Sequence, residues 1–258
     1  MDQYIQAATR ENPRQACEAA IEHAEVSWGG RLPATADNVA RYLADHAETL
    51  AVSTLKQRLS AIAQWHTEQG FPDPTKAPIV KRVLKGIQSL HPKQVKQAKP
   101  IQLATLEAVD SYLVEQIKIS IQSGETNHLL ANLRNRALIL IGFWRAFRSD
   151  ELCRLNIENI EIIRGEGMTL YLPRTKTEHF QHGVTFHAPM LSKLCPVNAY
   201  LDWIYHAGVT SGPVFRKINR WGQVSNTALN PRSIVPLLRK LFTQADIEQA
   251  LTYSSHSL

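Results

Sequence analysis

Residues 129–152 read LLANLRNRALILIGFWRAFRSDEL. The strongly apolar run from Leu129 to Phe143 predicts a buried helix, and the polar Arg148-Ser149-Asp150-Glu151 behind it marks the exit from that helix. An arginine at such an exit can be held rigidly. Its fixed fork of donors can then grip two non-bridging oxygens of one phosphate and stabilise charge building up at phosphorus. Taken alone, an arginine such as Arg148 is more often a surface ion-pair residue, here partnering Asp150 or Glu151.

Working outward, Thr105 is the expected cap of a helix through Leu106, Val109 and Leu113. Ile160–Ile163 and Met168–Leu172 are β-prone runs separated by the turn signal Arg164-Gly165-Glu166-Gly167, and Val184–Phe186 supplies a third strand. Helical patterns return at Pro196–Tyr205 and Ser233–Leu241. The fold class is therefore mainly α with a small antiparallel β-sheet (α+β).

The first ninety residues read as helical throughout. A helix is expected around Arg14–His23, and Val39, Tyr42 and Leu43 mark an apolar face. Ser53 or Thr54 is the expected cap of a helix that buries Leu55, Leu59 and Ile62, and Gly70-Phe71-Pro72-Asp73-Pro74 breaks it. Pro78 opens the next helix, with Val80, Val83, Leu84 and Ile87 inward and Lys81, Arg82 and Lys85 outward. The stretch His91–Pro100, with two prolines and three lysines, has linker composition. The expected organisation is a helical domain over 1–92, a basic linker over 93–100 and a second domain over 101–258.

The net charge of +6 with pI ≈ 9.3 favours a polyanionic partner, either nucleic acid or an anionic membrane surface. Residues 1–50 are acidic on balance. Residues 54–99 reverse the sign, with Lys56, Arg58, Lys76, Lys81, Arg82, Lys85, Lys93, Lys96 and Lys99 against Glu68 and Asp73. No apolar run approaches the roughly 20 residues of a membrane helix, and no signal pattern opens the chain, so a soluble cytoplasmic protein is expected. Cys17, Cys153 and Cys195 form no CxxC pair, and the His179/His182 spacing with His187 reads as coincidence rather than a metal site. Trp65, Trp144, Trp203 and Trp221 are expected as core or domain-packing residues rather than as base-stacking platforms.

Three segments then carry a resemblance: Ala146–Leu152, Pro173-Arg174-Thr175-Lys176-Thr177 and Tyr253-Ser254-Ser255-His256-Ser257-Leu258. Their order and spacing are similar to the arginine motif, the hairpin lysine and the start of the HxxR motif of tyrosine recombinases (phage integrases). Val214-Phe215-Arg216-Lys217-Ile218-Asn219-Arg220-Trp221-Gly222 also resembles a stretch of many integrases, and the first domain and linker resemble that family's core-binding domain and tether.

The resemblance implies catalytic roles for Arg148, Lys176 and His256. Lys176, preferred over its neighbour Arg174 on the motif, would protonate the departing 5′ oxygen. His256 would bond a phosphate oxygen or take the nucleophile's proton. In the family a second arginine follows the position of Leu258, and the tyrosine nucleophile comes later. The 258 residues contain neither, and Tyr253 precedes His256, so the expectation is a truncated catalytic domain that cannot cleave DNA alone.

The implied partner is double-stranded DNA. Its expected contacts are Lys56, Arg58, Lys81, Arg82, Lys85, Lys93, Lys96, Lys99, Arg216, Lys217, Arg220 and Arg232, mainly to phosphates. Intact relatives work as tetramers that pass a C-terminal segment to a neighbour; the 258 residues lack that segment, so a homo-oligomer on DNA is left open, and neither metal nor cofactor is expected. Competing readings are a non-catalytic DNA-binding module at recombination sites, a type IB topoisomerase and a basic scaffold protein. The first differs from a recombinase in tolerating loss of Lys176.

Overall fold

A computed structural model describes residues 11–92, 98–163, 165–173 and 183–254. The chain forms two compact units, Met1–Lys96 and Gln97–Leu258.

The first unit contains α1 (Glu11–Glu22), which runs into a π-helical turn at His23–Ser27, then α2 (Ala36–Asp45), α3 (Val52–Glu68) and α4 (Pro78–Leu90). Thr35 caps α2, its Oγ1 accepting the Asn38 N–H at 3.3 Å. The core holds Val39, Tyr42, Leu43, Leu55, Leu59, Ile62, Val80 and Ile87. Spacings of three and four residues put these side chains on the inner helix faces. The expected cap of α3 is corrected. The helix starts at Val52 after Ala51, with no side-chain cap, because Val52 itself packs on the core and draws Ser53 and Thr54 into the first turn. Buried His66 ties α3 to the chain entering α2. Its Nε2 accepts the Ala34 N–H at 2.8 Å, so Nδ1 carries the proton donated to Ile62 O at 2.7 Å.

The second unit contains α5 (Leu103–Ser123), α6 (Thr126–Arg145), the short α7 (Ser149–Cys153), strands β1 (Ile160–Ile163), β2 (Gly167–Leu172) and β3 (Val184–Pro189), α8 (Pro196–Ala207), strands β4 (Arg216–Ile218) and β5 (Val224–Ala228), and α9 (Ile234–Gln244). The three-stranded sheet is an antiparallel meander in the order β1-β2-β3, with Ile160 opposite Leu170 and Leu172 opposite Val184. Gly167 is required where β2 begins, since a Cβ there would lie 2.1 Å from the Ala188 carbonyl oxygen. The expected Thr105 cap is corrected too: burial of Ile101 fixes the chain on entry, and α5 starts at Leu103.

The α6 run forms the middle of the core. Arg136 on this helix pairs with Asp110 of α5 at 2.7 Å and with Asp202 of α8 at 3.7 Å, tying three helices at one cation. Trp203 is fully buried and donates from Nε1 to Val214 O at 2.9 Å. Cys153 and Cys195 are buried free thiols, and burial pushes Cys153 up to about 12. Among the described residues no helix is long and apolar enough to cross a membrane.

The β4–β5 hairpin was not expected from the sequence, and it corrects one assignment. Trp65 stacks on Phe71, Trp144 bonds Leu194 O and Trp203 is core, but Trp221 is 61% exposed. The reason is local: β4 ends at Ile218, so Trp221 sits in the turn with no sheet face to cover it.

Candidate phosphate site and basic surfaces

Arg148 lies at the junction of two helices. α6 ends at Ala146 in the left-handed region, which reverses the chain; Phe147 then buries itself and Arg148 becomes the N-cap of α7. Glu151, three residues on and 4% exposed, holds this turn from inside. One carboxylate oxygen accepts the Arg148 backbone N–H at 2.8 Å and the other accepts Nη1 of the Arg148 side chain at 3.1 Å. A buried carboxylate thus fixes both ends of the residue, and charge-assisted bonds of this kind are the strong ones. The Arg148 side chain remains 42% exposed while Glu151 holds its Nη1, so the guanidinium is oriented in advance and still reachable from solvent.

The sheet is joined to this turn. Phe147 packs edge-on against Phe186 of β3 with centroids 4.7 Å apart, and Arg145 lies over the same ring while its Nη1 donates to His187 O. Arg145 Nε and Ser149 Oγ, either side of Arg148, are buried with no hydrogen-bond partner among the described residues. The β2–β3 connection springs from the Leu172/Val184 pair of this same sheet. Lys176 belongs to that connection and lies outside the described residues, as do Arg174, His179 and His182. His256 also lies outside them, three residues beyond Tyr253. Tyr253 itself is buried against Phe242, with centroids 4.7 Å apart, and its carbonyl accepts from Arg239 Nε at 3.0 Å. Among the described residues no group of three or more His, Cys, Asp or Glu could hold a metal.

Of the expected DNA contacts, Lys56, Lys81, Arg82, Lys85, Lys217 and Arg220 are exposed, and none has a carboxylate within 4.0 Å among the described residues. Lys81 and Lys85 share one face of α4 by their i,i+4 spacing. Lys93 and Lys96 lie outside the described residues, and Lys99 sits 5.6 Å over the Tyr253 ring. Arg232 lies on the 3₁₀ turn before α9, its N–H bonded to Asn230 Oδ1 at 2.9 Å. Arg216 spends its guanidinium internally, on Pro213 O, Asn226 Oδ1 and Ser211 O.

Arg58 is also engaged within its own unit. Its Nη1 donates to the Tyr42 hydroxyl at 2.7 Å, and that hydroxyl in turn meets His23 Nδ1 at 3.0 Å. Burial, then the charges of Arg58 and His46, lower the pKa of His23. The unfolded chain therefore binds the proton more readily. The contribution of neutral His23 is fully present above pH 6.5 and is lost as the pH falls through the lower folded value. Urea midpoints measured across this range should decline on the acid side for the wild type and decline less for His23→Gln; parallel curves would remove His23 from the effect.

Sequence reasoning offered Glu151 only as a surface ion-pair partner of Arg148, and its buried grip on the backbone N–H was missed. The signal was present: a Glu at the third helical position is the spacing by which a side chain reaches back to an N-cap N–H.

No protein-family profile matches the chain. It is 27% identical over 232 residues to an integrase/recombinase, a xerD homolog, of Selenomonas ruminantium, covering 88% of this chain and 64% of that one. It is 26% identical over 207 residues to the recombinase cre of Escherichia phage P1, covering 78% and 57%. In sequence this chain is thus similar to two recombinases. It spans under two thirds of the length of these two recombinases. In fold it is similar to the XerH site-specific recombinase solved with palindromic difH substrate in a post-cleavage complex, with a TM-score of 0.54 and 16% identity over 93% of this chain and 62% of that one. The mainly α recombinase fold with small antiparallel sheets is the one expected from the sequence.

Proposed function

We propose that the protein is a site-specific DNA recombinase of the cytoplasm, in which Arg148 holds the phosphate at which a strand is exchanged. The observation that carries this reading is the grip of buried Glu151 on Nη1 of the Arg148 guanidinium, in a side chain that remains 42% exposed. An oriented cation of this kind stabilises the charge of a phosphoryl-transfer transition state without reorganising when it forms. Lys176, carried by the β2–β3 connection, delivers the proton to the departing 5′ oxygen, and His256 bonds a phosphate oxygen. Support for Lys176 comes from the Phe147–Phe186 contact, which joins the sheet that bears its loop to the Arg148 turn. The region over 1–92 acts as the core-binding domain and 101–258 as catalytic-domain sequence, joined by the linker at 93–100, and copies assemble on the duplex.

The test uses the full-length protein on its cognate site. Arg148→Ala should slow strand exchange by about 10²–10³-fold. Duplex affinity should change by less than about tenfold, because phosphate contacts elsewhere set it. Exchange at the wild-type rate would remove Arg148 from the reacting phosphate. The expectation that the 258-residue chain forms no covalent protein–DNA adduct is checked on a nicked suicide duplex, where an adduct would overturn it.

A further inference from the structure

The β4–β5 hairpin is built more firmly than its length requires. Ile218 pairs with Val224, and the loop between them closes through Asn219 N–H to Gln223 O at 3.1 Å and Gly222 N–H to Asn219 O at 3.0 Å. Gly222 takes φ +81°, a conformation that glycine adopts without strain, and so completes a tight three-residue loop. Asn219 Oδ1 also accepts the N–H groups of Trp221 and Gln223, each at 3.0 Å. The base is held as well. Buried Arg134 of α6 donates to Arg216 O at 3.1 Å, and Arg216 Nη1 spans the strands to Asn226 at 2.9 Å.

What this support displays is an uncovered aromatic. Trp221 is 61% exposed, and the Arg220 guanidinium lies over its ring 4.2 Å from the centroid. Lys217 projects nearby on β4, exposed. From Ser211 to Ala245 the chain carries Arg216, Lys217, Arg220, Arg232, Arg239 and Lys240 and not one Asp or Glu. The nearby Glu158 carboxylate is bonded to the Gly212 N–H at 2.7 Å. An exposed indole costs solvation unless something covers it, and a surface covering this one must also accept cations on each side.

We propose that the Arg220–Trp221 tip is a prong that seats on duplex DNA, the indole against sugars and base edges in a groove, Arg220 and Lys217 on the flanking phosphates. The inference rests on the DNA-binding reading above and adds a non-ionic contact to it. A tryptophan laid on a nucleic acid contributes through its face and is indifferent to salt, whereas each cation on a phosphate releases counterions. The two halves of the prong are therefore separable by experiment.

Binding of the 258-residue protein to a short duplex of arbitrary sequence is measured by fluorescence anisotropy over a series of salt concentrations. Trp221→Ala should weaken binding about tenfold at every salt concentration with the slope unchanged, and Trp221→Tyr should recover most of the loss. Arg220→Ala should reduce the slope of log K against log salt by about 0.9. Acrylamide quenching of tryptophan emission should fall when duplex is added to the wild type, but not to Trp221→Phe. Since Trp221 covers no core, the urea midpoint of Trp221→Ala should match the wild type, so a weakened complex reports contact rather than unfolding.

Wild-type affinity for Trp221→Ala, in a protein that binds duplex, would overturn the prong and leave DNA binding standing. Unchanged duplex binding combined with altered sedimentation would make the tip a protein-docking surface and overturn the proposal as well. Failure of the wild-type protein to bind any duplex would instead bring down the DNA-binding reading, and the prong with it.

Discussion

Replacing Lys81, Arg82 and Lys85 together with alanine is expected to weaken duplex binding on the order of 10²-fold at moderate salt and to flatten its salt dependence by up to about 2.7 slope units, near 0.9 for each phosphate that is no longer neutralised. The three cations stand exposed on α4, with no carboxylate within 4.0 Å among the described residues. The apolar side of α4 packs through Val80 and Ile87, which the substitutions leave alone, and alanine favours a helix. The variant should therefore fold. Titration against a duplex at several salt concentrations reads both numbers, and an unaltered slope would take these residues out of the interface.

Glu151→Ala should produce the largest loss of stability among the site variants, about 2 kcal/mol by urea unfolding. The substitution strands the Arg148 N–H and leaves a void where a buried carboxylate stood. A fully buried ion pair broken at one partner would lose more, but Arg148 is 42% exposed and water recovers part of the interaction. Glu151→Gln keeps the volume and one acceptor, so its stability should lie closer to the wild type. Both variants release the Arg148 guanidinium, and both should slow strand exchange in the full-length protein while duplex affinity stays within a few-fold. A variant that lost stability yet exchanged strands normally would show that Arg148 orients itself without help.

Long-period apolar patterns made most of the fold legible in the sequence. The α6 run, the α4 register and the three-strand meander all follow from spacing alone. Helix starts were less legible, because a cap at Ser53 or Thr105 competes with the burial of Val52 and Ile101, and burial won both times. The β4–β5 hairpin escaped because β4 is three residues long and the alternation of so short a strand barely registers. Its turn signal, an Asn three residues before a Gly, was there to be read. At the site, the position of Arg148 at a helix exit was legible. The spacing of its Glu151 tether was there to be read, but the strength of that tether was not, since a Glu three residues from an Arg looks like any exposed pair until the fold buries one of them.

The helix α6 holds the hairpin near its middle, through Arg134, and delivers the chain to the Arg148 turn at its C-terminal end. From Arg134 to Arg145 this rod rises roughly 16 Å at 1.5 Å per residue, and a helix does not stretch. On the function proposed above it would work as a ruler, fixing the distance along a polyanion at which two grips can be closed at once. A single residue inserted between those arginines would swing one grip by about 100° relative to the other.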